Sequence, residues 1–200
     1  MTRRREVTME HDLARTLGET VITAPPGVSV RRGPHGLSLH VTDAVPAGDV
    51  IYRAHEVTIA DDGRTYLIHV QVGDEVEDIV ITSMHTVRYM GVRTFDIPGC
   101  FMNHSCDPTS VSRDVLDPST GKVIAYEQIA TRNLHPGDEI TCDYTLFDWA
   151  CDGHQFHCHC GSDGCYGFIG GFRSLDPATQ QRLQGEIYYE AERMWHHTRT

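Results

Sequence analysis

Apolar residues come in short runs along most of the chain, separated by turn-forming residues. The runs lie at 28–32, 37–41, 50–53, 57–60, 66–72 and 78–82. Between them stand Pro25-Pro26-Gly27, Pro46-Ala47-Gly48-Asp49, Asp61-Asp62-Gly63 and Gly73-Asp74, which mark chain reversals. A hairpin is expected from 111–116 and 122–126 around Asp117-Pro118-Ser119-Thr120-Gly121, and a further strand over 140–144. Many short strands predict small, twisted, mostly antiparallel sheets. There is no sustained strand–helix alternation, so a doubly wound nucleotide-binding fold is not expected. Two segments read differently. Residues 1–20 are polar with a weak helical pattern over 9–17 that Gly18 would end. From Asp176, a capping residue followed by Pro177, the residues Leu183, Ile187, Tyr188 and Met194 recur at helical spacing. One terminal helix is expected there, with Tyr189 and Trp195 as exposed aromatic candidates; packing back on the domain is favoured over a dimer contact.

Composition narrows the class. Two hundred residues, 40% of them hydrophobic, suit one domain with small appendages and a real core. No apolar run has membrane-spanning length. The basic start, Met1-Thr2-Arg3-Arg4-Arg5, lacks a hydrophobic signal core, so an intracellular, cytoplasmic chain is expected. The net charge of −11 argues against a nucleic-acid binder, which needs a basic face, and favours cationic ligands. Lys122 is the sole lysine among 17 basic residues; that bias suits a GC-rich, bacterial genome. Seven cysteines are not an even disulfide set, and a metal is the alternative use for four of them.

Four stretches carry candidate chemistry. Near the start, Gly33-Pro34-His35-Gly36 reads alone as a plain turn, although glycine also permits close backbone approach to a ligand. Cys100-Phe101-Met102-Asn103-His104-Ser105-Cys106-Asp107-Pro108-Thr109 contains an asparagine, whose side chain both donates and accepts. About thirty residues on, His135-Pro136-Gly137-Asp138-Glu139-Ile140-Thr141-Cys142-Asp143-Tyr144 reads as a turn and a strand ending in a tyrosine. The last is Cys158-His159-Cys160-Gly161-Ser162-Asp163-Gly164-Cys165. Its three thiols need a fourth ligand for tetrahedral zinc, and Cys151, His154, His157 and His159 are nearby candidates.

In this order and spacing the stretches resemble the SET-domain protein lysine methyltransferases with a post-SET zinc tail, over roughly residues 27–172. The resemblance implies a mostly β fold with some α: a SET-domain β-clip architecture of small twisted sheets with a pseudoknot, a zinc-binding tail and a C-terminal helix. It divides the chain into an N-terminal extension (1–26), a SET domain (27–148), the tail (149–172) and the helix (173–200). By resemblance, S-adenosylmethionine is held by Pro34, His35, Gly36, Asn103, His104, Tyr144 and Phe156. Zinc is held by Cys106, Cys158, Cys160 and Cys165. Tyr144 orients a lysine amine for in-line methyl transfer, with a second lining tyrosine among Tyr52, Tyr66, Tyr89 and Tyr126. Cys142 stands where the family carries Phe or Tyr and leaves room around the amine. The departures are Pro34 for the first glycine, Cys100 for an arginine and Thr109 for an asparagine. The implied activity is methylation of a lysine in a basic protein or peptide, without a nucleic-acid or membrane partner. The alternatives are a small-molecule amine or peptide natural product as acceptor, and an inactive zinc-binding interaction module.

Overall fold

The computed structural model describes residues 21–54, 57–59, 66–81, 87–89, 92–95, 98–121 and 123–198. The helical pattern over 9–17 and the Asp61-Asp62-Gly63 turn lie outside them. In chain order the strands are β1 (Val21–Ile22), β2 (Val28–Gly33), β3 (Gly36–Val41), β4 (Val50–Ala54), β5 (Val57–Ile59), β6 (Tyr66–Val72), β7 (Glu75–Ile81) and β8 (Val87–Tyr89). They continue as β9 (Val92–Phe95), β10 (Asn103–His104), β11 (Ser110–Leu116), β12 (Val123–Ala130), β13 (Glu139–Cys142), β14 (Phe156–His157) and β15 (Phe168–Ile169). Three short helices lie in the C-terminal part: α1 (Tyr144–Phe147), α2 (Pro177–Arg182) and α3 (Tyr189–Thr198). The strands form small sheets in the orders β1-β6-β7, β10-β13-β3-β2, β11-β12-β4, β14-β15 and β5-β9-β8. The expected mostly β fold of small sheets is what the chain adopts.

Alternation builds the core. In the β2–β3 hairpin Val28 opposes Val41 and Val30 opposes Leu39, so period-2 spacing turns all four side chains to one buried face. β13 extends that face by pairing Ile140 with Leu39, and both are fully buried. Ile68, Val70 and Val72 of β6 close over it, and the Gly73 amide donates to the Val30 carbonyl at 3.0 Å. Each such aliphatic side chain stabilises the fold by about 1.5–3 kcal/mol. Gln128, the one long uncharged polar side chain buried among the described residues, is satisfied: it donates to Ser110 Oγ at 2.8 Å and accepts from Ser112 Oγ at 2.6 Å.

Three expectations change. The strand expected over 140–144 stops at Cys142, because Asp143 caps α1, its side chain accepting from the Thr145 amide. The single terminal helix is two helices. Asp176 and Pro177 begin α2 as expected, but Gly185 turns the chain at φ +90°, a left-handed conformation that a helix cannot continue through. Trp195 is buried, and it joins Leu146, Phe172, Leu183 and Ile187 in a second core, so this segment does pack back on the domain. Finally, the last residues of the expected N-terminal extension belong to the fold: β1 pairs in parallel with β6, Val21 opposite His69.

Candidate functional site

The two motif stretches meet as parallel neighbours. β10 pairs with β13, Asn103 opposite Thr141 and His104 opposite Cys142, the juxtaposition a threaded arrangement requires. Tyr144 follows at once. Its hydroxyl donates to the Met102 carbonyl at 2.5 Å and its amide donates to His104 Nδ1 at 3.1 Å. The first motif therefore grips both ends of the tyrosine. Burial, reinforced by the neighbouring Cys142 and Cys100 thiols, pushes the Tyr144 hydroxyl well above its ordinary range. It stays protonated and keeps its hydrogen bond to the Met102 carbonyl. Tyr52 shares the same anchor: its hydroxyl lies 3.9 Å from Met102 Sδ. Tyr126 packs half-buried against the main core.

Cys142 is buried in the main core, against which this tyrosine packs. Asn103 is half-buried, and its amide nitrogen donates to Glu139 Oε1 at 2.7 Å and to the Leu37 carbonyl at 3.4 Å. With both N–H bonds taken, its oxygen is left to accept. Leu37 adjoins Gly36, so the glycine stretch and Asn103 come together. Gly33 opposes Gly36 across the Pro34-His35 turn, and both turn residues are exposed. Gly36 has φ +106°, and a Cβ there would meet nothing within 4 Å. The backbone at this edge thus faces open space beside the Asn103 acceptor, a setting that fits a bound ligand carrying an ammonium group. Glu139, which fixes the Asn103 amide, is a residue sequence reasoning missed; its only signal is its place on the motif strand.

The cysteine tail closes over the same tyrosine. Cys106, Cys158, Cys160 and Cys165 place their sulfurs within 4.8 Å of one another, with Cys106 and Cys158 at 3.8 Å. Zinc–sulfur bonds of ~2.3 Å put tetrahedral sulfurs ~3.8 Å apart, so the four residues fit the metal. His157 and His159, both exposed, are not in the cluster, nor are Cys151 and His154. Burial pushes the Cys106 thiol up and lifts Cys158 to about 11. At Cys160 burial is outweighed by hydrogen bonds, Ser162 foremost, which bring it down to about 6. Four neighbouring thiolates would repel one another without a cation, and a bound metal would deprotonate all four.

His104 joins the two halves. Its side chain is 2% exposed, and burial lowers its pKa against the opposing pull of Asp143, so the ring is neutral. Nδ1 accepts from Tyr144, which leaves the Nε2 proton facing Cys106 Sγ at 3.2 Å. The Tyr166 amide donates to the same sulfur at 3.3 Å and its hydroxyl donates to Asp143 Oδ2 at 3.1 Å. Tyr166 was not foreseen; only its adjacency to Cys165 hinted at it. Phe156 packs edge-on against His104 and Tyr144, with ring centres 5.8 and 6.2 Å away, and stays 36% exposed.

Comparison with known proteins matches residues 36–145 to the family described as SET domain, more than half of the 200-residue chain. Over 68 residues the chain is 38% identical to Histone-lysine N-methyltransferase 2D of Homo sapiens, covering 34% of this chain and 1% of that protein. Over 146 residues it is 24% identical to Histone-lysine N-methyltransferase, H3 lysine-36 specific, of Yarrowia lipolytica, covering 72% of this chain and 18% of that one. The chain thus spans less than a fifth of either relative. A solved structure of a candidate histone methyltransferase from Plasmodium falciparum aligns with 58% of this chain and 96% of its own, at 14% identity and a TM-score of 0.41. These organisms are eukaryotic and lend the bacterial reading of the arginine bias no support. Among the described residues no helix is long and apolar enough to cross a membrane.

Proposed function

The chain belongs to the SET-domain family, and from that footing we propose that it is an S-adenosylmethionine-dependent methyltransferase acting on lysine side-chain amines of a basic protein. The grip on Tyr144, with its hydroxyl 2.5 Å from the Met102 carbonyl, is the observation that carries this reading. S-adenosylmethionine supplies the electrophilic methyl group. Gly36 gives the backbone room for it, with Pro34 and His35 on the same turn. Asn103 offers its oxygen to the ammonium end, while the His104 backbone and Phe156 border the adenine. Cys106, Cys158, Cys160 and Cys165 would hold zinc, which shapes the wall formed by the tail.

In-line transfer needs a neutral amine, and a free lysine with pKa ~10.4 is mostly protonated at neutral pH. A narrow, partly apolar channel beside a sulfonium favours the neutral form. The Tyr144 hydroxyl, kept protonated, orients that amine; the Met102 carbonyl fixes the hydroxyl in turn. The small, buried Cys142 side chain leaves space for an amine that already carries methyl groups, so addition proceeds beyond one methyl. The net charge of −11 and the histone-directed names of the relatives favour a basic protein acceptor.

The test is incubation of zinc-loaded protein with S-adenosylmethionine and a histone mixture, followed by intact-mass analysis. Lysine adducts of more than one methyl are expected. Donor binding without protein methylation would shift the acceptor to a small-molecule amine. Absence of donor binding would sink the enzyme reading in favour of an interaction module.

A further inference from the structure

The tail begins with a second group of ligand-bearing side chains that the site above does not use. Asp148, Cys151 and His154 each bring one ligand atom to within 4.8 Å of the others. They come from a single turn at a spacing of three, Asp148-Trp149-Ala150-Cys151-Asp152-Gly153-His154, closed by the His154 amide donating to the Cys151 carbonyl at 3.1 Å. We propose that this turn is a second transition-metal site, of the Asp/Cys/His type suited to zinc, distinct from the four-cysteine centre.

Four observations support it. First, His154 Nε2 lies 3.7 Å from Asp148 Oδ2, a pairing that, against the opposing effect of burial, helps hold the Asp148 carboxyl down to about 2 and is also the right separation for two ligands of one ion at bonds of ~2.0–2.2 Å. Second, Nδ1 of the same ring is buried without a hydrogen-bond partner, so no protein acceptor or donor there dictates the tautomer, and with the proton on Nδ1 the Nε2 lone pair is free for an ion. Third, Asp148 Oδ1 accepts from the Ala150 and Cys151 amides at 2.9 and 3.1 Å, which fixes the carboxylate and leaves Oδ2 for an ion. Fourth, the Cys151 side chain is buried, with the residue 1% exposed, and its sulfur accepts from the Gly171 amide, as Cys106 accepts from Tyr166 in the other cluster. One carboxylate, one thiolate and a neutral imidazole balance a divalent cation. On binding, the Cys151 proton leaves to solvent. Three protein ligands leave one tetrahedral position for water.

The site sits where the tail leaves the domain and returns. Asp148 and Trp149 carbonyls accept from the Phe172 and Arg173 amides at 2.9 and 3.0 Å. Gly171 packs so closely that a Cβ would lie 2.4 Å from the Ala150 nitrogen. A metal here would staple the base of the tail, while the four-cysteine centre holds its tip to Cys106. The inference stands independently of methyl transfer.

Zinc content of the 200-residue chain under native mass spectrometry, with the absorption spectrum of its cobalt(II) form, tests it. Wild type is expected to carry two ions per chain. His154→Gln should carry one and keep the strong bands of the four-thiolate centre. Cys151→Ser, nearly isosteric, gives the same reading where the histidine variant fails to fold. One ion in wild type, or two retained in either variant, overturns the proposal.

Discussion

In the β2–β3–β13 sheet Val30, Leu39, Val41 and Ile140 are almost wholly buried, and backbone ladders join every strand to its neighbour. Residues 149–172 contain no such layer, although Phe172 at their end is buried in the second core. Their own buried cluster is Cys151, Cys158 and Ile169, and the only ladder among their described residues pairs two-residue strands, Phe156 opposite Ile169. One region is shaped by apolar burial and backbone pairing. The other takes its shape from sulfur ligands and a few anchoring amides. The tyrosine between them belongs to both, so its geometry depends on two unrelated sources of order.

The largest effect that sharpens this contrast is metal removal. Structural zinc contributes roughly 10 kcal/mol or more to the segment it folds. Chelation should abolish turnover and make 149–172 protease-sensitive while the far-ultraviolet strand signal persists; loss of that signal would break the contrast. Next comes Ile140→Ala, expected to cost about 2–5 kcal/mol in denaturant unfolding and to reduce metal retention only through global unfolding. Tyr144→Phe should lower turnover about 100-fold, equivalent to about 2.7 kcal/mol, with donor affinity and unfolding midpoint nearly unchanged; weakened donor binding would instead assign the tyrosine to ground-state contact.

The smallest effect concerns the clasp of the C-terminal segment. The Tyr188 hydroxyl donates to the Ser112 carbonyl at 2.9 Å and accepts from the Ser112 amide at 3.0 Å, and its ring stacks on Phe147 with centres 4.3 Å apart. Burial lifts this hydroxyl to about 12. Ionisation is thus easier in the unfolded chain, near ~10. The resulting stability is present below pH ~10 and is lost as pH rises towards 12. Wild type should lose about 1–2 kcal/mol more than Tyr188→Phe between pH ~9 and ~11.5, read from denaturant midpoints.

What the sequence made legible follows from locality. The β2–β3 hairpin, the Asp176 cap and the Cys158–Cys165 spacing are written in neighbouring residues, and the structure keeps them. The break at Gly185 was also local, but apolar spacing on both sides masked it. Long-range facts were harder. Cys106 as partner of the tail cysteines was available only through a family resemblance, because nothing near Cys106 names a ligand set downstream. The two-residue strands β10, β14 and β15 are too short for any periodicity. His104 read as a structural histidine or a backbone contact, and its role as a bridge depends on Tyr144 and Cys106 meeting in space. The same applies to Asp148, whose carboxylate gains meaning only beside Cys151 and His154.

The His104 bridge also imposes an order in time. The ring touches the Tyr144 amide on one side and Cys106 on the other, and Cys106 is secured by residues as late as Cys165 and Tyr166. Synthesis proceeds from the N-terminus, so a ribosome-bound chain that has completed residues 36–145 has the matched SET segment and the Met102 and His104 contacts of its tyrosine, but not the Phe156 ring beside it or the tail cysteines around Cys106. The proposed enzyme is therefore born incomplete. Its site is completed only when the segment through Tyr166 has emerged and the four cysteines can hold metal.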